Sequence, residues 1–310
     1  MAEKMRAVPL FLAFQALTFL FMLVPRSVCL ALGRGLGVLT FRLSPQHRRL
    51  ALDNLRFAFG ARIPPAERRR IARESFARFG AVLTDLVKMQ SLGRRRLDAL
   101  ADLEGGDNLK RALAEGKGAL IFTGHFGNWE IGSLAVSRIA RLHVVARKLD
   151  NALVEAKLLS LRRRLGARVI YKHQAARPIL EALRHNEVVA IVIDQNVLRR
   201  EGIFVDFFGR AASTTPGLAA FHLKSGAPIL PIFSFRRPDG GYVLRMGRPL
   251  EVPSGGIPSE NVLKITQACT KIIETRVRDA PESWLWFHDR WRSRPAAEHG
   301  KETTNGRQGS

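Results

Sequence analysis

Short apolar runs alternate with amphipathic segments from Gly118 to the last quarter of the chain. The runs GALIFTG, LHVVA, ARVI and VVAIVID are typical of strands, and the stretches between them, such as residues 151–165 and 178–184, have helical spacing. IFVDFF, PILPIFSF and YVLRM follow as further strands, and a last helix is predicted to begin near Ser259 as its N-cap. Strands that alternate with helices in this way predict an α/β fold, with a mostly parallel central sheet and helices on both faces.

Upstream of this alternation, the sequence predicts one long amphipathic helix from about Ala66 to Gly93. A chain of 310 residues is long enough to bury a full core, so residues 44–295 are predicted to form a single domain. Residues 296–310 are polar and lack any hydrophobic period, and we expect a disordered tail there.

The N-terminal region carries nineteen consecutive residues without a charge, from Ala7 to Pro25. As a helix this stretch would be roughly 28 Å long, close to the thickness of a bilayer's hydrocarbon core. A mostly apolar stretch follows it, so residues 1–43 are predicted to be a helical membrane anchor. A buried hairpin of a soluble protein is the alternative. Arginines cluster directly after the segment, which predicts by the positive-inside rule that the main domain lies in the cytoplasm.

The net charge of +23 is unusually high and predicts a polyanionic partner. Nucleic acid is one candidate, but the arginines are spread along the chain and no known nucleic-acid-binding motif is present, so nucleic acid is not expected. An acidic protein or an anionic membrane surface fits the charge equally well. The two cysteines, Cys29 and Cys269, suggest neither a disulfide framework nor a thiolate metal site, and no cofactor is expected.

The segment GALIFTGHFGNWE places His125 in a glycine-flanked loop directly after a buried strand. Loops that leave the carboxyl ends of parallel strands are where α/β proteins keep their sites. On an ideal helix, His125 and Glu130 would point about 140° apart, so His125 must precede the helix that we expect from about Phe126. In such a bend Glu130 can orient the imidazole as a general base. A zinc site of the H-E-x-x-H type is excluded, because Phe126 stands in place of the motif's glutamate and Trp129 in place of its second histidine.

Four further segments accompany HFGNWE: LDNLRFAFG, ARKLDNALVEAKLLSLRRRLG, IVIDQN with VDFFGRAASTTPG, and the C-terminal PILPIFSFRRPDG and PESWLWFHDRWRSRP. Together they resemble the bacterial lipid A late acyltransferases, the lauroyl and myristoyl transferases of the lysophospholipid acyltransferase superfamily. That family's hallmark is a histidine and an acidic residue separated by four residues. The resemblance extends from about residue 10 to Pro295. Asp289 departs from it, since the family usually has a second basic residue after the histidine.

The resemblance implies that His125 and Glu130 are catalytic and that Arg147, Asp194 and Asn128 bind substrate. His125 would take the proton of an acceptor hydroxyl as that hydroxyl attacks an acyl thioester, without an acyl-enzyme. Backbone N–H groups at the start of the following helix would stabilise the oxyanion. Arg147 is expected to bind a phosphate or to position the donor. Asp194 is expected to pair with Arg147 or to hold its own loop.

The donor implied by the resemblance is acyl carrier protein, an acidic protein, or else acyl-CoA. Arg162, Arg163 and Arg164 are a candidate docking surface for such a carrier, and a solvated helix face is the alternative. The C-terminal aromatic residues are expected to line an acyl pocket, to lie at the membrane surface or to form core. They are Trp284, Trp286, Phe287 and Trp291.

These observations favour an acyltransferase of the bacterial inner membrane that acylates a hydroxyl of a lipid A precursor. A related enzyme acting on another glycolipid, an aminolipid or a glycerophosphate is the first alternative. A non-catalytic basic protein that binds membranes or nucleic acid is the alternative from a different class.

Overall fold

A computed structural model describes residues 19–252 and 257–295. The helices are α1 (Arg26–Leu43), α2 (Pro45–Phe59), α3 (Pro65–Met89), α4 (Arg94–Asp98), α5 (Gly106–Ala114), α6 (Gly132–Val136), α7 (Ala152–Arg164), α8 (Ala176–Arg184), α9 (Gly217–Ser225) and α10 (Pro258–Asp279). The strands are β1 (Ala101–Glu104), β2 (Ala119–Thr123), β3 (Leu142–Ala146), β4 (Ala167–Tyr171), β5 (Val188–Val192), β6 (Ile203–Phe207), β7 (Arg210–Thr214), β8 (Ile229–Arg236) and β9 (Tyr242–Met246). Short 3₁₀ turns lie at Gly60–Arg62, Trp129–Ile131 and Pro281–Ser283.

Seven strands form one sheet in the order β1-β9-β8-β2-β5-β3-β4. The five strands from β8 to β4 are parallel, whereas β9 pairs antiparallel with β8 and carries β1 at the edge. Strands β6 and β7 form a separate antiparallel hairpin. The predicted α/β fold is therefore confirmed. The predicted N-cap at Ser259 is wrong: Pro258 occupies the first turn and the capping residue is Ile257, because proline needs no hydrogen bond for its nitrogen there.

The sheet is buried on both faces because alternate side chains of its strands pack into two separate hydrophobic cores. Leu120 and Phe122 of β2 pack into a core with α2, α8, α9 and α10. Ile121, between them, packs into the opposite core with α5, α6 and α7. Side chains two residues apart share a face of a strand, so both faces need an apolar cover. This explains why the strand sequences are continuously apolar.

Helix α1 packs along α3, and glycines allow the two backbones to approach closely. A Cβ atom at Gly33 or Gly37 of α1 would collide with backbone atoms of α3, and one at Gly80 of α3 would collide with the Gly33 carbonyl. The Thr84 hydroxyl donates to the Cys29 carbonyl across this contact, at 2.9 Å. Small residues at such a crossing let helices gain van der Waals contact. The two helices therefore form one close-packed pair.

Most of the uncharged stretch 7–25, and the whole predicted tail 296–310, lie outside the described residues. Within the described ranges, no single helix has both the length and the apolar composition needed to cross a bilayer. One pair of consecutive helices, Arg26–Leu43 and Pro45–Arg62, reaches both criteria together but is bent by 92°. The predicted anchor thus stays a prediction.

Candidate active site

His125 lies in the loop that leaves the carboxyl end of β2, as the sequence predicts. Gly127 adopts a φ of +57°, and a Cβ atom there would collide with the Ser234 carbonyl. A Cβ atom at Gly124 would lie 3.0 Å from the carboxylate of Asp194. The two glycines therefore let the loop turn sharply and let Asp194 approach it. The helix expected from Phe126 begins only at the 3₁₀ turn Trp129–Ile131, followed by the five-residue α6.

The carboxylate that contacts the His125 ring belongs to Asp194. Nδ1 of His125 lies 2.8 Å from one carboxylate oxygen, and the backbone N–H of His125 donates to the other at 2.8 Å. Asp194 follows β5, the neighbour of β2 in the sheet, so two adjacent strands deliver the pair. Burial would raise the pKa of Asp194, but the charge and hydrogen bonds of His125 lower it to about 2. Asp194 is thus ionised and can accept only from a protonated Nδ1, so in the neutral form of the ring the proton is on Nδ1 and Nε2 has none.

The expected contact between Glu130 and His125 is not made. Glu130 is buried and forms a two-pronged ion pair with Arg162 of α7, at 2.6 and 2.9 Å. The expectation went wrong because the loop carries Glu130 into the 3₁₀ turn, where Arg162 of α7 binds it. His125 is oriented instead by Asp194, and the ring of Trp129 packs edge-on against it, with centroids 4.7 Å apart.

The C-terminal segment supplies a further partner for Asp194 that the sequence did not reveal. The indole N–H of Trp284 donates to the carboxylate at 2.7 Å. The Trp284 carbonyl accepts from Ser75 of α3, and Asn54 of α2 donates to the carbonyls of Trp286 and His288. Hydrogen bonds from two helices therefore fix this segment against the site. The aromatic residues Trp284, Trp286 and Trp291 are buried in the core, and they do not line the cavity described below.

His288 is a second, half-buried histidine close to Asp194. Its Nε2 accepts from the backbone N–H of Asn196 at 3.1 Å. Burial lowers the pKa of His288 below its usual range. The neutral imidazole thus holds the loop after β5, in which Gln195 places its side-chain nitrogen 3.3 Å from His125 Nε2.

Arg147 and Asn128 are placed differently from Asp194. Arg147 follows β3, is 73% exposed and pairs with the still more exposed Asp150 rather than with Asp194. Asn128 is fully buried, and its amide makes no hydrogen bond of ordinary geometry in the described part of the chain. Arg147 lines the cavity and Asn128 does not. Their predicted contacts with substrate stay predictions.

The three consecutive arginines of α7 do not form one docking surface. Arg162 is occupied by Glu130, and Arg164 donates to the Leu92 carbonyl. Arg163 is exposed. The expectation failed because successive helical residues point about 100° apart, so one face cannot present all three.

A cavity of about 830 Å³ opens beside His125. It is lined on one face of the sheet by Ile121, Val144 and Ala190, which lie side by side on β2, β3 and β5. On the other face it reaches Ile179 and Phe221. Its polar lining includes His125, Gln195, Arg147, Lys172 and the Glu130–Arg162 pair. The volume and mostly apolar walls are those of a site for a molecule with a long apolar part.

The fold and site define an α/β protein with a buried-aspartate–histidine pair at the carboxyl edge of a parallel sheet, which is the arrangement of a general base. In the described residues, no group of three His, Cys, Asp or Glu side chains is placed to hold a metal ion.

Residues 3–293 match the model of the bacterial lipid A biosynthesis acyltransferase family, and the chain belongs to that family. It is an acyltransferase. It is 28% identical to a lipid A biosynthesis palmitoleoyltransferase of Escherichia coli K12 over 282 residues, 90% of each chain. Identity to a lipid A biosynthesis lauroyltransferase of the same strain is 27% over 274 residues, 88% of each chain. A phosphatidylinositol mannoside acyltransferase of Mycobacterium tuberculosis (CDC 1551 / Oshkosh) is 28% identical over 224 residues, 70% of this chain and 69% of that one.

Proposed function

We propose that the enzyme transfers a fatty acyl chain from an acyl thioester, carried by acyl carrier protein, to a hydroxyl of a lipid A precursor. His125 is the general base. Its Nε2 removes the proton of the acceptor hydroxyl as the oxygen attacks the thioester carbonyl. The C–S bond of the tetrahedral intermediate then breaks, and the carrier's thiolate leaves and takes the proton from the His125 imidazolium, which gives the free thiol and restores the base. The transfer needs no acyl-enzyme, because the acceptor itself is the nucleophile.

One observation carries this proposal: the hydrogen bond from His125 Nδ1 to the ionised Asp194, at the wall of an apolar cavity. The bond supports a tautomer of the neutral ring in which Nε2 carries no proton of its own and can accept one. The Gln195 amide is a side-chain donor beside Nε2, and we assign it a contact with the thioester carbonyl. This replaces the helix start that the sequence suggested for the oxyanion, since α6 has only five residues.

The substrate class is supported by both the relatives and the cavity. Two relatives are named for lipid A biosynthesis, and a third for a phosphatidylinositol mannoside, so related chains act on more than one glycolipid. Arg147 and Lys172 line the cavity and are more than half exposed, where they can meet a phosphate of the acceptor or of the carrier's prosthetic group. Glu130, held by Arg162, lines the same cavity.

We assign the enzyme to the cytoplasmic face of the bacterial inner membrane. The charge of +23 supports attraction to anionic lipids, and the uncharged stretch 7–25 supports an anchor. If residues 7–25 are inserted, full-length protein should resist extraction by concentrated salt and require detergent. Release by salt alone would contradict the anchor.

The experiment incubates purified enzyme with acyl carrier protein thioesters and a panel of acceptors, and follows products by mass spectrometry. The panel contains a lipid A precursor, phosphatidylinositol mannoside and lysophosphatidic acid. We expect transfer to the lipid A precursor, and a loss of about 10²- to 10⁴-fold in the His125→Ala variant. His185→Ala, which removes an exposed histidine outside the cavity, is the matched control and should keep full activity.

Transfer to another panel member would redirect the acceptor assignment, and activity of His125→Ala close to wild type would reject the base. Arg147→Ala should raise KM for the acceptor or donor without changing the melting temperature, because its side chain is mostly exposed. An equal loss of activity and stability would instead give Arg147 a structural role.

A further inference from the structure

One side of helix α1 presents an exposed apolar face. Its members are Val28, Leu32, Leu36, Leu39 and Leu43, with exposed fractions between 41 and 72%. At 100° per residue these five side chains share an arc of about 80°, and the contact with α3 through Gly33 and Gly37 lies on the other side of the helix. We call this face the α1 stripe. A continuous exposed apolar stripe of this kind marks an interaction surface.

A basic groove of about 590 Å³ runs beside the α1 stripe, between α1 and α3. Its lining is Arg34, Gly35, Val38, Leu39, Arg42, Arg73, Glu74 and Ala77. Two arginines compensate the negative charge of Glu74: Arg34 donates two hydrogen bonds to its carboxylate and Arg78 donates one. Arg42 and Arg73 are exposed and form no ion pair with a carboxylate of the described residues. The α1–α3 groove is therefore net positive, with two guanidinium groups available to an anion.

We propose that the α1–α3 groove binds the phosphodiester headgroup of an anionic membrane lipid, whose acyl chains lie along the α1 stripe. Leu39 belongs to both surfaces, so a headgroup in the groove places its chains directly over the leucines. Guanidinium forks match the oxygens of a phosphate, and burial of the stripe in the acyl layer removes its apolar surface from water. A free phosphate would fill the groove but leave the stripe exposed.

This site is separate from the catalytic one. None of the groove residues lines the cavity beside His125. Under the proposed function the cavity holds the reacting lipid, whereas the groove would hold a lipid that stays unreacted and keeps α1 in the plane of the membrane surface. Substitutions in the groove should therefore leave transfer to a detergent-dispersed acceptor unchanged, which distinguishes them from substitutions at His125 or Asp194.

The first test uses full-length enzyme in nanodiscs of phosphatidylcholine that contain a minority of photoactivatable phosphatidylglycerol. We expect crosslinks in peptides of α1 and α3. In Arg42→Ala/Arg73→Ala they should fall at least about fivefold, the factor that corresponds to the loss of one arginine next to an anionic surface. Arg95→Ala/Arg184→Ala removes two exposed arginines outside the groove and should crosslink like wild type. Equal crosslinking in both double variants would overturn the proposal.

The second test measures where the α1 stripe lies. A spin label at Leu36→Cys reports exposure to water or to lipid, and Leu263→Cys, at an exposed position of α10, is the control. The native Cys29 and Cys269 are buried and should not be labelled. In nanodiscs we expect the label on residue 36 to be accessible to oxygen and protected from a water-soluble relaxing agent, with the reverse at residue 263. A water-exposed label at residue 36 would overturn the proposal, even if the groove still crosslinked to lipid.

Discussion

Replacement of Asp194 by asparagine should remove most of the transfer activity while the protein stays folded. All three groups that face the carboxylate are donors: the His125 amide, its ring Nδ1–H and the Trp284 indole. Asparagine has only one acceptor oxygen, and the Oδ2 position already receives two of these donors, at 2.8 and 2.7 Å. The carboxamide nitrogen is therefore expected to face Nδ1. The ring must then accept at Nδ1 and carry its proton on Nε2, so it can no longer act as a base.

The expected loss in kcat is about 10²- to 10⁴-fold, equivalent to roughly 2.7–5.5 kcal/mol of barrier. The upper value matches the effect of the same tautomer change in serine-protease triads, about 10⁴-fold. The KM of the donor should stay close to wild type, because the substitution is isosteric. Single-turnover transfer measures the chemical step, and ¹⁵N NMR of labelled histidine reports which ring nitrogen carries the proton.

Trp284→Phe is the matched variant. It removes one hydrogen bond to a charged group, worth about 1.5–3 kcal/mol, but keeps the carboxylate and the tautomer. The substitution should lower the free energy of unfolding by more than it raises the activation free energy of transfer. The reasoning fails if Asp194→Asn retains kcat within fivefold of wild type, or if NMR finds the proton still on Nδ1.

Three further predictions concern stability. Glu130→Gln leaves Arg162 buried without its partner and should cost about 3–5 kcal/mol of unfolding free energy. The double variant Glu130→Gln/Arg162→Met should recover part of this loss. Equal melting temperatures of wild type and Glu130→Gln would refute the prediction. Gly37→Ala should cost about 1–3 kcal/mol by denaturant unfolding, because its Cβ meets the α3 backbone, while Gly35→Ala in open space should not destabilise. Because the pKa of His288 is lowered in the folded state, the unfolded chain binds more protons than the folded protein as pH falls below about 6.5. Wild type should therefore lose stability in this range, and His288→Gln should lose less.

The sequence predicted the sheet and the histidine loop because both are encoded locally. Strand and helix periods are read within a few residues, and the glycines around His125 indicate a turn before any helix. The partner of His125 is not local: Asp194 is 69 residues away and Trp284 a further 90. They meet because β5 lies next to β2 and because α2 and α3 hold the C-terminal segment. Strand order, and hydrogen bonds between side chains so far apart in the sequence, leave no pattern within a short segment of it.

Asp194 and Glu130 are the two carboxylates near His125, and they affect the charge of its ring differently. The spacing of His125 and Glu130 in the motif HFGNWE does not reveal this difference. A second unpaired carboxylate beside Asp194 would favour the imidazolium form, which cannot accept a proton. Arg162 cancels the charge of Glu130 with two hydrogen bonds, so only Asp194 presents an uncompensated negative charge to the ring. Glu130 thereby contributes to the polar lining of the cavity without altering the base directly. If this division holds, the activity of Glu130→Gln should fall in proportion to its loss of folded protein, and its remaining folded fraction should show the pH dependence of wild type.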